Sequence, residues 1–347
     1  TFEKPLMAIL DRMHTVGVTV DTVVMQKLHD TYHKELDDIE KKIHALAGHQ
    51  FNINSPKQLG VVLFEELSLG GGKGKKTSTG QRSTKESELE KFKDEHEIVA
   101  LVLEYRELGK LLGTYIDALP PLLDSKHKLH TTYMQTGTVT GRIASHNPNL
   151  QNIPIKTERG RAIRNAFVAT KGYQFVALDY SQIELRLAAI LSGDEKLCDI
   201  FKRGRDVHRE VAAAVLHKDP EEITDVDRRN AKAINFGMLY GMGVQALRVS
   251  LGTTLAEAHT FYDEYFKTFT TLSHYLEEVK GYARKNGYVE TLYGRRRYFP
   301  EMKSPLPYVR AQAERMAINA PMQGTQSDII KLAMIRTDKK LQELGHT

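Results

Sequence analysis

Asp179 follows directly after the apolar run 175–178 and precedes a helical pattern that begins near Ser181. The run predicts a strand, which would place the carboxylate at the tip of that strand. Carboxylate oxygens are ligands that Mg²⁺ prefers, so Asp179 could hold such an ion, although spacing alone favours an ordinary turn aspartate. Residues 181–184 also match a capping box, in which Glu184 would bond a backbone N–H at the start of the helix.

A second group of side chains recurs every four residues: Arg228, Lys232, Phe236 and Tyr240. On a helix these residues share one face. The two cations could meet phosphates, and the two rings could stack on a sugar and a base. An aromatic stripe alone usually marks a core, but two cations in register with it favour a nucleotide-binding face.

Two further patterns leave their interpretation open. Residues 70–85 are rich in Gly, hydroxyl groups and basic residues and contain no acidic residue. They suit either a flexible linker or a loop that binds phosphates. They do not match a Walker loop, because the spacing between a Gly and a Lys-Ser/Thr pair is absent. His29 and His33 lie one helical turn apart, which could suit a metal. Because the sequence offers no nearby Cys or strong third ligand, we predict that both are surface histidines.

The amino-acid composition limits the classes of protein to which this chain can belong. The 347 residues include 49 Lys+Arg against 44 Asp+Glu, a net charge of +5, and 41% hydrophobic residues, which suits a folded globular chain. The one cysteine, Cys198, excludes a disulfide scaffold and fits a reducing compartment. No apolar run reaches the ~20 residues of a membrane span, and the N-terminus lacks a signal peptide, so we expect an internal piece of a longer protein.

The elements that must position these residues are mostly helical. Helices are predicted from about residue 5 to Gly17, over 22–47 ending at Gly48, from Ser55 to about 67, over 86–123, and through most of the chain after Ser181. Strands are predicted near 18–21, 131–135, 166–169 and 175–178, the last two as neighbours, with a hairpin around 293–294. The outline is α+β.

Several of these segments together resemble the DNA polymerases of family A, the bacterial DNA polymerase I type. Residues 179–186, Asp-Tyr-Ser-Gln-Ile-Glu-Leu-Arg, resemble motif A, and Arg228 to Gly241 resembles motif B. Further similar segments are 105–108, 114–117, 140–142, 149–154, 294–298 and 314–324. The resemblance extends over essentially the whole chain.

The resemblance implies a right-hand architecture, with a palm built on a small antiparallel sheet and a helical thumb and fingers. It implies a palm start at 1–20, a thumb at 21–118, palm with motif A at 119–203, fingers with motif B at 204–310 and a return to the palm at 311–347. It also implies template-directed DNA synthesis by two-metal phosphoryl transfer. The implied partners are primer–template DNA and deoxynucleoside triphosphates, in replication or repair.

The resemblance also assigns roles to residues. Asp179 and the Tyr180 carbonyl would bind two Mg²⁺ ions, and Arg228, Lys232 and His208 would hold the triphosphate. Phe236 and Tyr240 would lie by the incoming nucleotide and the templating base, and Glu184, with Gln182 beside it, would exclude a 2′-hydroxyl. The residues implied to contact DNA are Arg142, Arg315, Asn319, Gln323, Lys110, Lys75, Lys76, Thr77, Ser78 and Thr79. Minor-groove acceptors, which Arg142, Asn319 and Gln323 would read, are similarly placed in every correct base pair.

The sequence departs from the family at motif C, the His-Asp-Glu that supplies a second metal-binding aspartate. We expect that aspartate shortly beyond Thr347, because Asp328 lies in a helical context and is a poor substitute. No exonuclease-like region precedes the polymerase motifs, so we expect no proofreading. Two alternatives remain: a single-subunit RNA polymerase, against which Glu184 argues, and a non-catalytic primer–template binder. We expect a cytoplasmic monomer, in a bacterial or phage-infected cell, that does not bind membranes.

Overall fold

The computed structural model describes residues 2–72, 80–155 and 157–345, which are mainly helical with short strands. Helices α1 to α14 are Glu3–Val16, Thr22–Ala47, Pro56–Val61, Glu86–Leu89, Glu97–Leu111, Glu158–Arg164, Ile183–Ser192, Glu195–Lys202, Val207–Leu216, Asp225–Leu239, Val244–Leu251, Leu255–Thr268, Thr270–Asn286 and Pro307–Glu343. Strands β1 to β7 are Val18–Val20, Lys128–Leu129, Thr132–Met134, Ala144–His146, Phe167–Val168, Tyr288–Glu290 and Arg296–Tyr298. The predicted α+β class is confirmed.

The chain forms two compact units. The larger unit comprises Thr1–Asp11, Tyr133–Ala144 and Ala177–Thr347, and the smaller unit comprises Arg12–Thr132 and Ser145–Val176. The finer division into palm, thumb and fingers stays a prediction. Over the residues that the structure describes, no helix combines the length and apolarity that crossing a membrane requires.

The smaller unit is built on the packing of α2 against α5. Helix α2 begins at Asp21, whose side chain accepts hydrogen bonds from the backbone N–H groups of Val23 and Val24, and it ends at Gly48 in the left-handed conformation, φ 79°. These are the predicted ends, because a carboxylate cap and a glycine C-cap satisfy groups that a helix leaves unpaired. A three-stranded antiparallel sheet, in the order β2-β1-β5, completes the unit.

The main apolar core of the larger unit is built from α7 to α14. Leu185, Val211, Met238, Leu272 and Met322 are all buried in one apolar cluster. Strands β6 and β7 pair antiparallel, with Tyr288 opposite Tyr298, so the predicted hairpin is confirmed. Gly294 in its turn has φ 76°, which glycine adopts without strain.

The predicted strand at 175–178 is wrong. The segment is irregular, and the Val176 and Leu178 side chains are 81% and 91% exposed. A strand needs a neighbour for its backbone hydrogen bonds, and in the described sheets none pairs with this segment. The expected neighbour, β5, pairs with β1 instead.

The predicted helical segment 86–123 is mostly helical but interrupted. Helix α4 ends at Leu89, and α5 begins only at Glu97 after the His96 side chain accepts a hydrogen bond from the Ile98 N–H. Directly after α5 the chain forms a π-helical turn, Leu112–Ile116. Another π-helical turn, Val62–Glu66, follows α3 earlier in the chain. Helical periodicity indicated the segment's overall character but not these interruptions.

Candidate active site

The buried Glu184 carboxylate belongs to a hydrogen-bond network of four predicted site residues in the larger unit, the others being Arg142, Tyr240 and Gln323. Glu184 Oε1 accepts a hydrogen bond from Arg142 Nη2 at 2.7 Å, and Glu184 Oε2 accepts one from the Tyr240 hydroxyl at 2.8 Å. Gln323 Nε2 lies 3.4 Å from the same hydroxyl. Burial raises the pKa of Tyr240 and the bond to Glu184 raises it further, so the phenol stays protonated and donates.

The position at which α7 begins determines which groups Glu184 can bond. The N-cap residue is Gln182, in the left-handed conformation at φ 53°, and its side chain makes no capping hydrogen bond. The predicted capping box over 181–184 is therefore wrong. Because α7 begins one residue later than the box requires, Glu184 occupies the second helical position, and its carboxylate bonds Arg142 and Tyr240 instead of the backbone.

Arg142 is presented by a glycine turn between β3 and β4. Gly141 has φ 78°, and a Cβ atom there would lie 2.9 Å from the Arg295 side chain, so both conformation and space require glycine. The Ser327 hydroxyl of α14 donates to the Gly141 carbonyl. Arg142 Nη2 also donates to Gln326 Oε1 at 2.7 Å, a partner that the sequence did not single out.

Helix α10 carries the predicted cationic and aromatic face. A capping box formed by Thr224 and Asp227 starts the helix, and Tyr240 is its C-cap residue. Lys232 is exposed, while Phe236 is half-buried. The four-residue spacing therefore falls on a helix, as predicted, over Arg228 to Phe236 and ends at the cap.

Arg228 is bound to a carboxylate that sequence reasoning missed. Its Nε and Nη2 atoms donate to Asp206 Oδ2 at 3.0 and 2.7 Å. The bond raises the pKa of Arg228. Burial tends to raise the pKa of Asp206, but the bonds from Arg228 and from the Arg209 backbone N–H hold it below the usual range. Asp206 also caps α9, a signal that the sequence Asp-Val-His-Arg could have given.

His208 is buried and neutral. Burial lowers its pKa most. The charge of Asp206 raises the pKa, and the charges of Arg228 and Lys232 lower it. Asn235 Nδ2 lies 3.1 Å from His208 Nδ1. The amide nitrogen is a donor, so Nδ1 accepts and the imidazole proton is on Nε2. Asn235 thus fixes the tautomer of His208, a role that the sequence did not indicate.

Helix α14 carries Arg315, Asn319 and Gln323 at four-residue intervals along one face. Asn319 is 8% exposed, and its Oδ1 atom is buried without a hydrogen-bond partner in the described part of the chain. Arg315 packs against Gly241, where a Cβ atom would lie 3.0 Å from Arg315 Cγ. Arg315 and Tyr240 line a cleft of about 1190 Å³.

The remaining predicted residues lie outside this network. Asp179 and Tyr180 are exposed in the irregular segment before α7. Lys110 is exposed in the last turn of α5, in the smaller unit. Lys75, Lys76, Thr77, Ser78 and Thr79 fall outside the described residues. Asp328, the late carboxylate considered above, is fully buried and bonded to Arg295 and the Thr291 hydroxyl.

Comparison with known proteins gives the family. The model of DNA polymerase family A matches residues 22–347. The chain belongs to DNA polymerase family A. It is 48% identical over 344 residues to DNA polymerase I of Thermus thermophilus and of Deinococcus radiodurans, covering 99% of this chain and 41% and 36% of those proteins. It is 46% identical to DNA polymerase I of Bacillus subtilis, covering 98% of this chain and 39% of that protein.

A solved structure agrees with the sequence relatives. The polymerase domain of Pol1 from M. smegmatis, in complex with DNA primer–template and dNTP, superposes with a TM-score of 0.91 at 40% identity, covering 99% of this chain and 60% of that chain. The predicted resemblance to family A is confirmed. The chain spans about two fifths of the length of these curated relatives.

Proposed function

We propose that this chain carries out template-directed DNA synthesis, adding deoxynucleotides to a primer 3′-hydroxyl with release of pyrophosphate. The observation that carries the proposal is the buried Glu184 carboxylate shared by Arg142 and Tyr240. Family membership and the likeness to a polymerase domain described with primer–template and dNTP support it.

The cations of α10 and the imidazole of α9 would bind the triphosphate. Arg228 and Lys232 offer hydrogen-bond donors to phosphate oxygens. His208, with its proton on Nε2, would donate one more hydrogen bond without adding a charge. The Asp206 carboxylate accepts two hydrogen bonds from Arg228 and would help to orient its guanidinium.

The Glu184 carboxylate would select deoxyribose. Both of its oxygen atoms are hydrogen-bonded, which would hold the carboxylate in place where a 2′-hydroxyl needs room. This property favours DNA synthesis over the single-subunit RNA polymerase alternative.

Asp179 and the Tyr180 carbonyl would hold Mg²⁺. Both donors are oxygens, and both residues are exposed, which fits a hard cation that keeps part of its water shell. When bound, Mg²⁺ would lower the pKa of the primer hydroxyl and offset charge on the leaving pyrophosphate. We propose that two such ions act in the catalytic complex.

Three side chains of the larger unit would monitor the new base pair. Arg142, Asn319 and Gln323 carry amide or guanidinium groups that can donate hydrogen bonds. Donors aimed at minor-groove acceptors would test pair geometry without reading sequence.

Primer extension by Asp179→Ala in the full-length protein tests the proposal. We expect extension to be lost, because the variant removes a metal-binding carboxylate, while primer–template affinity measured by fluorescence anisotropy stays unchanged. Asp199→Ala is the matched control, since Asp199 is an exposed aspartate of α8 paired with Arg203. Extension by Asp179→Ala at the rate of the control, or equal loss in both variants, would refute the assignment.

A further inference from the structure

The smaller unit contains a cluster of metal-ligating side chains that the proposed polymerase chemistry does not use. His29 and His33 on α2 lie beside Asp117, and one ligand atom from each lies within 4.8 Å of the others. His33 Nε2 is 3.1 Å and His29 Nε2 is 3.7 Å from Asp117 Oδ1. The sequence suggested no third ligand because Asp117 is 84 residues away from His33.

The π-helical turn at the end of α5 places Asp117 against α2. Such a turn inserts one residue and rotates the following side chain by about 100°. The Asp117 N–H closes the turn by donating to the Leu112 carbonyl at 2.9 Å. Tyr115 and Ile116 just before it are buried in the core, so the position of Asp117 is held by packing.

A second carboxylate orients one of the histidines. His29 Nδ1 lies 3.2 Å from Asp30 Oδ1, which also accepts a hydrogen bond from Gln26 Nε2 at 2.9 Å. The contact with Asp30 holds the His29 ring with its other nitrogen, Nε2, on the side of Asp117. Metal-binding histidines are commonly oriented by a carboxylate in this way.

The spacing of the ligand atoms suits a shared cation. Asp117 Oδ1 lies 3.7 Å from His29 Nε2 and 3.1 Å from His33 Nε2. Ligand atoms around a tetrahedral zinc ion are about 3.3 Å apart, close to the two measured separations.

We propose that His29, His33 and Asp117 bind one zinc-type divalent ion. Two imidazole nitrogens and one carboxylate suit Zn²⁺, Co²⁺ or Ni²⁺, whereas Mg²⁺ prefers oxygen ligands throughout. The three side chains are 40–44% exposed, so water can complete the coordination sphere. The bound ion would link α2 to the end of α5, and it is distinct from the ions assigned to Asp179.

Zinc titration of the full chain, prepared without a histidine tag, tests the site. Calorimetry is expected to give one zinc per chain in the micromolar range, Co²⁺ is expected to show the visible absorption of a tetrahedral site, and zinc is expected to raise the Tm. His33→Ala and Asp117→Asn should each weaken binding by at least about tenfold and remove the Tm increase. Asp30→Asn should weaken it by about tenfold through orientation alone.

The matched control is His217→Ala, because His217 pairs with one carboxylate, Glu264, rather than two further ligands. Its zinc affinity should equal that of the unchanged chain. Circular dichroism checks that each variant is folded. We expect folding to be retained because the substituted ligand side chains are half-exposed. No zinc binding, or unchanged binding by folded His33→Ala and Asp117→Asn, would show that the cluster is only a hydrogen-bonded group of charges.

Discussion

At the scale of single residues, the candidate site depends on which groups share a hydrogen-bond partner. Glu184 looked like a helix cap in the sequence, yet it bonds Arg142 and Tyr240, two residues 42 and 56 positions away. Arg228 and Lys232 were predicted as phosphate ligands, but nothing in the sequence tied Arg228 to Asp206. Residue types thus indicated the chemistry, while their partners came from the fold.

Substitutions at Glu184 are expected to separate its volume from its charge. Glu184→Ala removes both hydrogen bonds and the side-chain volume that would exclude a 2′-hydroxyl. Discrimination against ribonucleotides should therefore fall by about 10- to 100-fold. Glu184→Gln keeps the volume and an acceptor for Tyr240, so most of the discrimination should persist. Single-nucleotide insertion with dNTP and rNTP gives the ratio of kcat/KM. Equal loss in both variants would assign selectivity to charge rather than to shape.

At the scale of elements, local signals predicted the ends of helices where caps are strong. Helix α2 ends at Gly48 and α3 starts after Ser55, as the sequence indicated, while the role of Asp21 as the N-cap of α2 came from the structure. The strand predicted at 175–178 was wrong, and the segment 86–123 is helical but interrupted. Capping depends on a few adjacent residues, whereas a strand depends on a partner that can lie anywhere in the chain.

The cap of α2 provides a measurable element-level test. Asp21 Oδ1 accepts bonds from the N–H groups of Val23 and Val24 at 3.0 and 3.1 Å. Asp21→Ala should lower the free energy of unfolding by about 1 kcal/mol, while Asp21→Asn, which keeps the acceptor, should lose less than half of that. Urea unfolding followed by circular dichroism measures both. An equal loss would attribute the effect to the carboxylate charge at the helix terminus.

At the scale of the whole molecule, the two compact units carry histidines with opposite pKa shifts. In the larger unit burial lowers the pKa of His208. In the smaller unit the His14 carbonyl and then Asp124 raise the pKa of His130, and Glu66 and then the Gln50 carbonyl raise that of His49. Both ring nitrogens of His130 have acceptors, at 2.7 and 3.2 Å, which suits the protonated ring.

Acidification is therefore expected to affect the units in opposite directions. The stability that His208 contributes is complete above its unfolded pKa, near 6.5, and is lost as pH falls through its lower folded value. The contributions of His130 and His49 are complete below about pH 6.5 and are lost as pH rises through their higher folded values. Amide hydrogen exchange, corrected for intrinsic rates, should show α9 losing protection as pH falls below 6.5, and α2 gaining protection as pH falls toward 6.5 from above.

Two variants identify the groups responsible for this pH dependence. His208→Gln should flatten the pH dependence of protection in α9, and His130→Gln should reduce that of α2. A change of the same sign in both units, or profiles insensitive to these substitutions, would contradict the assigned shifts.

The sequence alone determined the family, the helical nature of the cationic face and the ends of the capped helices. Each of these depends on residues close together in the chain, whose spacing fixes which side chains share a face. Only the tertiary structure decided that Glu184 joins Arg142 to Tyr240, that Asn235 sets the tautomer of His208, and that Asp117 meets His29 and His33. Those contacts depend on how distant segments pack, and packing is set by the burial of the whole core rather than by any local pattern.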